Sequence, residues 1–428
     1  MLDIKFVREN KEKVVENIKK KYQDEKIPLV DEVIELDEKV RSLKLEGDEL
    51  RKNRNSISSE IGSLMRDKKV DEANAKKKEV TDINEKLVLI EKEEEELNNS
   101  LHEKMLIIPN IIDDSVPIGK DDSENVEIEK FGDPVVPNYE IPYNADILES
   151  FSGLDKDSAG RTSGAGFYYL MGDAARLVTA MINYGRDYMI DKGFTYCIPP
   201  FMIRSDVVTG VMSFKEMDEM MYKIEGEDLF LIGTSEHSMI GKFKGQILKK
   251  ETLPITMTSY SPCFRKEVGS HGIEERGIYR VHQFEKQEMI VICEPEDSMD
   301  WYNKMWRYTV EIFRNLNIPV HTLECCSGDL ADLKVKSVDV EAWSPRQKKY
   351  FEVGSCSTLG DAQARRLGIR VKGENGNYFP HTLNNTVLAS TRALIALLEN
   401  NYQEDGTIKI PEVLQPYMGG KQVIYPNK

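Results

Sequence analysis

The stretch Phe264–Glu288, "FRKEVGSHGIEERGIYRVHQFEKQE", joins two short limbs through a polar loop with Gly269, Gly272 and Gly277. The first limb follows "ITMTSYSPC" and the second runs on into "MIVI", both of strand character. The pair reads as an antiparallel hairpin. Residues two apart on a strand share a face. Arg265 and Glu267 are therefore expected to point one way, and Phe284, Lys286 and Glu288 to share a face of the return strand. With those faces coincident, one surface presents a guanidinium, a ring and carboxylates. An arginine fork suits a phosphate oxygen, a flat ring stacks a base, and a carboxylate holds an ammonium group. Phosphate, base and amine together describe an aminoacyl-adenylate. The plain alternative is an exposed charge ladder with Phe284 in the core, and the hairpin alone does not separate the two.

Outward from the hairpin, three stretches favour the chemical reading. "TSEHS" at 234–238 follows an apolar run and supplies Thr234 and Glu236. "YFEVGSCS" offers Glu352 and Ser355, oxygen ligands of the kind that hold magnesium on a triphosphate. "HTLNNTVLASTRALIALLENN" reads as a strand running into a helix with Arg392 near its start, a site suited to an anion. Strands are expected at "DLFLIG", "ITMTSYSPCF", "IYRVHQFEKQEMIVI", "SVDVEAW" and "YFEVGSC", with helices over about 171–192, 296–316 and 389–400. This pattern predicts an α+β fold, an antiparallel sheet flanked by helices. Gly164 and Gly166 do not make a dinucleotide loop, because Tyr169 stands where the third glycine belongs.

The chain changes texture near residue 110. Before it, apolar residues recur at three and four from Leu29 through Val33, Leu36, Val40, Leu43, Leu50, Ile57 and Ile61 to Leu64, with Gly47 and Arg54 filling the breaks. A second series runs Val80, Ile83, Leu87, Ile90, Leu97, Leu101. The spacing predicts two helices in an antiparallel hairpin over about 28–103, turning within "MRDKKVDEANAK". At 1.5 Å per residue such an arm is roughly 55 Å long. The domains expected are 1–110, helical, and 111–428, catalytic, with the proline-rich 107–145 as linker.

A net charge of −16 excludes a global field that would draw the chain onto nucleic acid. The arm's distal half is locally basic, with Arg51, Arg54, Lys76, Lys77 and Lys78, while its stem carries "EKEEEE" at 91–96. A basic tip on an acidic arm suits phosphates held far from the body. The N-terminal stretch has no apolar signal core, no run is long enough to span a bilayer, and the six cysteines form no CxxC pair. A reduced, cytoplasmic protein is expected, with Cys325 and Cys326 as structural residues.

At these residues the chain resembles the seryl-tRNA synthetases, class II aminoacyl-tRNA synthetases with an N-terminal coiled-coil arm, from "MLDIKFVREN" to "QPYMGGKQVI". "KGFTYCIPP", with Gly193 and Pro200, resembles motif 1, which in the family builds the dimer interface. "FRKE" to "VHQFEKQE" resembles motif 2, and "NNTVLASTR" motif 3. The resemblance implies a serine–tRNA ligase, which activates L-serine with ATP and magnesium and transfers it to the 3′ end of tRNA(Ser). The charging of tRNA(Sec) shares the same seryl step. No zinc is implied, since the Cys/His/Glu pocket of the zinc-dependent type is not seen. Arg265 is implied to bind the α-phosphate and Arg392 the γ-phosphate, the two catalytic arginines. Lys266, beside Arg265, is placed with the ATP-binding residues; Glu267 is implied to hold ATP through the adenine or a metal. Phe284 is implied to stack the adenine and Val281 to line its pocket. Glu352, Val353, Gly354 and Ser355 match the ATP segment, Glu352 and Ser355 as metal ligands. Thr234, Ser235, Glu236, Glu288 and Thr386 match the serine pocket; which takes the ammonium and which the hydroxyl stays open.

There are departures from the pattern. Asn385, Val387 and Ala389 stand where motif 3 usually carries glycines, and Gly354 replaces a side chain. Two rivals differ in class: an amino acid:carrier-protein ligase, whose relatives lack the arm, and a non-catalytic RNA- or protein-binding paralogue, which would have lost some of Arg265, Glu267, Glu288 or Arg392. Neutralising Lys76, Lys77 and Lys78 together is expected to weaken tRNA charging while sparing adenylate formation. Assays of both half-reactions check this, and equal loss of the two would contradict the assignment of the tip.

Overall fold

The computed structural model describes residues 1–267 and 277–427, so Gly269 and Gly272 of the hairpin loop lie outside the described residues. The chain divides into two compact units, Leu2–Pro109 and Asn110–Lys428, the second also taking in Met1.

The first unit opens with helices α1 (Ile4–Glu9) and α2 (Lys11–Lys20), followed by two long helices, α3 (Ile27–Arg66) and α4 (Val70–Ile107). Pro28 sits in the first turn of α3, where its missing N–H costs no hydrogen bond. The two long helices are joined by Asp67–Lys69 alone, with Lys68 at φ +59°. Most of "MRDKKVDEANAK" is therefore helical, not turn. The distal seam is a cluster of Ile57, Ile83 and Leu87 flanked by Leu50, Ile61 and Val80. Nearer the base the buried row is Val30, Val33, Asp37, Val40, so Asp37 rather than Leu36 takes the inner position. Its carboxylate accepts from Arg8 of α1 and from Arg41, pairing that lets a charge sit inside. At the tip, Arg51 is bound to Asp48 and Glu91, Arg54 donates to Asn84, and Lys76 reaches Glu60 and Glu79. Lys77 and Lys78 are exposed.

The second unit is built on an eight-stranded sheet, here β1 (Val126–Phe131), β2 (Thr195–Cys197), β3 (Ile255–Phe264), β4 (Gln283–Cys293), β5 (Val320–Glu324), β6 (Lys336–Ser344), β7 (Lys349–Thr358) and β8 (His381–Ala389). Their order is β1-β5-β6-β7-β8-β4-β3-β2, antiparallel throughout except for the parallel pair β2 and β3. Flanking helices are α5 (Gly172–Asp191), α6 (Ser235–Gly241), α7 (Ser298–Asn315), α8 (Ala362–Leu367) and α9 (Ser390–Asn401). The α+β class thus follows the expectation from sequence.

The stretch 107–145 is not merely a linker, since β1 lies within it and pairs with β5 at the sheet edge. Its six residues are mostly exposed, which hides an edge strand from a search for buried alternation. "DLFLIG" gives only Phe230–Leu231, paired with Met202–Ile203 outside the main sheet.

The central strand β4 feeds two cores. Met289, Val291 and Cys293 join the core that holds residues of α5, α7 and α9, while Ile290 and Ile292 join the one that holds residues of α6 and α8. Alternation then places Lys286 and Glu288 on the α6/α8 face.

Leu87→Ala is expected to cost about 2–5 kcal/mol, as for a buried leucine whose neighbours cannot collapse into the space. Hydrogen exchange should accelerate in α3 and α4 and stay unchanged in β4.

Candidate active site

Strands β7 and β8 pair over three residues only, Cys356↔Asn385, Ser357↔Asn384 and Thr358↔Leu383. Beyond that they part. Each carries one extra residue in its other ladder: Gly354 and Glu352 oppose consecutive residues of β6, leaving Val353 over, and Thr386 and Leu388 oppose consecutive residues of β4, leaving Val387 over. A bulge of this kind bends the strand and shifts its side-chain alternation. Thr386 and Ala389, three apart, accordingly both line one cavity. Likewise Glu352 and Ser355, three apart, stand opposite Glu341 and Asp339, which are two apart and share a face. Both extra valines are buried in the α5/α7/α9 core. Gly185 of α5 makes room for Val387, since a Cβ there would lie 3.3 Å from its methyl. Asn385 anchors the same segment, donating to the Met305 carbonyl at 2.7 Å and the Thr309 hydroxyl at 2.9 Å.

Arg265, Glu267, Val281, Phe284, Glu352, Val353, Gly354, Thr386 and Arg392 all line the cavity between the parted strands. The hairpin alternation is not what brings Glu267 there. Pairing of β3 with β4 ends at Phe264↔Gln283, and Glu267 has left the strand at φ +48°. Its carboxylate accepts from Arg280 at 3.4 Å. The Arg265 guanidinium lies over the Phe284 ring at 5.3 Å and donates to the Gly233 carbonyl. Arg392 lies over Tyr279 at 4.8 Å and donates to the Glu352 carboxylate at 2.8 Å. Of the three arginines that line the cavity, Arg265 and Arg392 are thus each shelved on a ring. Desolvation works against the Glu352 charge, but Arg392, helped by Lys334 and Arg265, outweighs it and holds the carboxyl below its ordinary range.

Lys286, on the cavity wall, leads to an acidic cluster outside the lining. Lys286 forms an ion pair with Glu288, and both are buried. Thr234, the N-cap of α6, donates to Glu288 at 3.2 Å. Glu236, in the first turn of α6, accepts from Gln363 at 2.8 Å. Desolvation, and then the charge of Glu288, push its carboxyl up to about 7. Beside it His237 is driven down to about 3 by burial and by Arg265 and Lys286, so it stays neutral. Ser235 is fully buried with its hydroxyl on the Ser259 carbonyl, and Lys266 reaches out to the Asp218 carbonyl; neither lines the cavity, and nor do Thr234, Glu236, Glu288 and Ser355.

Tyr279, Arg280 and Thr391 line the cavity without having been singled out from sequence. Asp339 was also missed; burial and the charge of Glu352 push it up to about 7, and it shares a hydrogen bond with Ser355. Alternation in "SVDVEAW" marks Asp339 and Glu341 as face-mates, but only the bulge in β7 sets Glu352 and Ser355 against them.

Residues 220–401 match the family model of the tRNA synthetase class II core domain (G, H, P, S and T). Sheet and cavity together define a class II aminoacyl-tRNA synthetase core. Residues 1–112 match the seryl-tRNA synthetase N-terminal domain. The chain is 40% identical over 427 residues to a serine–tRNA ligase of Methanocella arvoryzae, covering 99% of this chain and 100% of that protein. It superposes with a TM-score of 0.93 on the seryl-tRNA synthetase of Pyrococcus horikoshii, solved with ATP, at 39% identity and 100% coverage of both chains. The cytoplasmic serine–tRNA ligase of Naegleria fowleri, solved with AMP, gives a TM-score of 0.88 at 32% identity, covering 100% of this chain and 99% of that one. The chain belongs to the seryl-tRNA synthetase family.

Gly354 is packed close: a Cβ there would lie 3.4 Å from Thr386 and from the Thr309 methyl. Gly354→Ala is expected to keep activity, whereas the branched Gly354→Val pushes Thr386 into the cavity. At least a tenfold loss in kcat/KM is expected of the latter, with the melting temperature little changed; serine-dependent pyrophosphate exchange and a thermal melt check both.

Proposed function

We propose that the cavity between the parted strands forms seryl-adenylate from L-serine and ATP and transfers the seryl group to tRNA(Ser). The observation that carries this reading is a cavity of arginines and rings joined, through the Lys286–Glu288 ion pair, to the carboxylates of Glu288 and Glu236. The adenine stacks on Phe284 beside Val281. Arg265 neutralises the α-phosphate and Arg392 the γ-phosphate. The ammonium group of serine is taken between Glu236 and Glu288.

The donor set fits a hard cation. Glu352 and Ser355 share a face beside Asp339, all oxygen donors. These residues would hold Mg²⁺, which supplies charge neutralisation to the phosphates. The reading requires no zinc.

In the first step an oxygen of the serine carboxylate bonds to the α-phosphorus in line, and the bond to the pyrophosphate oxygen breaks. In the second, a terminal ribose hydroxyl of the tRNA takes the seryl group and AMP leaves. No protein nucleophile is called for; positioning and charge stabilisation by the two arginines supply the rate. A pocket that bonds the serine hydroxyl rejects alanine by about 10⁴ or more, since its polar groups would be left unpaired. Thr386, on the cavity wall beside Glu288, is placed to read that hydroxyl.

The N-terminal unit is proposed to grip tRNA. Because Arg51 and Lys76 are held by carboxylates, Lys77 and Lys78 carry the phosphate contact, with recognition mainly of backbone and shape. Charging of tRNA(Sec) would use the same step and contact. We further propose a homodimer, supported by the exposed Ile198 and Met202 next to the parallel strand β2. A cytoplasmic location accords with free cysteines throughout the described residues and with the lack, among them, of a helix long and apolar enough to cross a membrane.

Glu236 binds the ammonium as a carboxylate, and its own titration near 7 sets the sign of a pH effect. Ionisation is lost as pH falls through about 7. The KM for serine in pyrophosphate exchange is therefore expected to rise below pH 7 while that for ATP stays level. The function itself is tested by charging total tRNA with serine, threonine or alanine. Charging with serine alone is expected; exchange without transfer would point to a carrier-protein ligase, and neither activity to a non-catalytic paralogue.

A further inference from the structure

Gln363 belongs to α8, does not line the cavity, and is only 1% exposed. A buried primary amide is costly unless its donors and acceptor are all used. Here both kinds are used. Its Nε2 donates to Glu236 Oε1 at 2.8 Å and to the Val211 carbonyl at 3.3 Å, and its Oε1 accepts from the Thr382 hydroxyl at 2.7 Å. A main-chain carbonyl only accepts, so Val211 fixes which way the amide faces. The NH₂ is locked toward Glu236 by groups from two other elements, the helix Ser205–Val211 and strand β8.

Resting on the proposed serine pocket, we propose that Gln363 is a positioning residue for the synthetase reaction: it holds the Glu236 carboxylate ionised and aimed at the ammonium group of serine. The surroundings of Glu236 make such a donor necessary. Glu288, facing it from β4, opposes its charge, and desolvation does the same. Lys286 is on the favourable side but is already bound to Glu288. His237 on the same helix is neutral. Asn384 of β8 and Gln363 are the neutral donors that favour the anion. Thr382 in turn fixes Gln363, which links the serine pocket to a hydroxyl from the far end of β8.

The test uses the full chain and serine-dependent pyrophosphate exchange between pH 6 and 8.5. Gln363→Met keeps the volume and removes the donor. Its KM for serine at pH 7 is expected to rise about tenfold or more, the loss of one hydrogen bond to a charged group. The pH at which that KM falls to its plateau is expected to move up by about one unit. The KM for ATP should stay within about twofold of the parent value. Thr382→Val, which frees the Gln363 carbonyl, should shift the serine profile in the same direction by less, and it decides the matter if Gln363→Met does not fold. An unmoved serine profile in the variants would overturn the proposal. So would a parallel rise in both KM values, the mark of a merely structural residue. Glu236→Gln is the control on the pocket itself. If it leaves the serine KM and its pH dependence as they were, the pocket assignment fails. If it abolishes the pH dependence while Gln363→Met changes nothing, only the role of Gln363 fails.

Discussion

Two neighbouring strands, β7 and β8, each carry one residue more than their outer partners can pair with. The surplus, Val353 and Val387, is buried in the core on one side of the sheet. Because regular pairing between the two strands stops at Cys356↔Asn385, a gap opens in what would otherwise be a closed sheet. Side-chain alternation is reset at such a gap, which lets residues from both strands converge, and the Glu352 and Thr386 carbonyls there accept from Arg392 and Thr309. Arg265 and Phe284 reach the gap from the next hairpin, and Arg392 from the helix that continues β8. The arrangement depends on local packing devices, chiefly Gly185, which admits Val387, and Asn385, which ties the bulged segment to α7.

The gap is also where the charges are. Burying Glu288, with Glu236 close by, would be unfavourable without compensation. Lys286 supplies a close countercharge, and Thr234, Gln363 and Asn384 supply hydroxyl and amide donors. This set has one positive charge fewer than it has carboxylates. An incoming ammonium group would complete it, so on the proposed reading the pocket is electrostatically prepared for an amine before the substrate arrives. On the arginine side, Arg265, Arg280 and Arg392 face Glu267 and Glu352, an excess of positive charge that would suit a polyphosphate with its metal.

Much of this was legible in the sequence. Strand β3, the helix α9 and the long helices of the first unit follow from alternation and from the three-and-four spacing of apolar residues. Arg265, Phe284, Glu288 and Arg392 were legible because their chemistry and the motifs that bear them agree. Other features were not. An exposed edge strand such as β1 has no buried face to betray it. Asp37 in the helix seam breaks the apolar pattern and is explained by Arg8 from another helix together with Arg41. Glu267 reached the cavity through a left-handed turn where strand alternation had been assumed. Asp339, Tyr279 and Gln363 lacked a signal because their partners are distant in the chain, and a bulge can be located only once the partner strand is known.

The central claim is that one cavity holds the nucleotide at Arg265, Phe284 and Arg392 and the amino acid at Glu236 and Glu288. The most direct measurement is a crystal structure of the full chain with a non-hydrolysable sulfamoyl analogue of seryl-adenylate. The account expects the adenine against Phe284, the sulfamoyl group at Arg265, and the amine between Glu236 and Glu288 with Lys286 turned aside. An amine placed away from both carboxylates, or an adenine that leaves Phe284 uncovered, would contradict it.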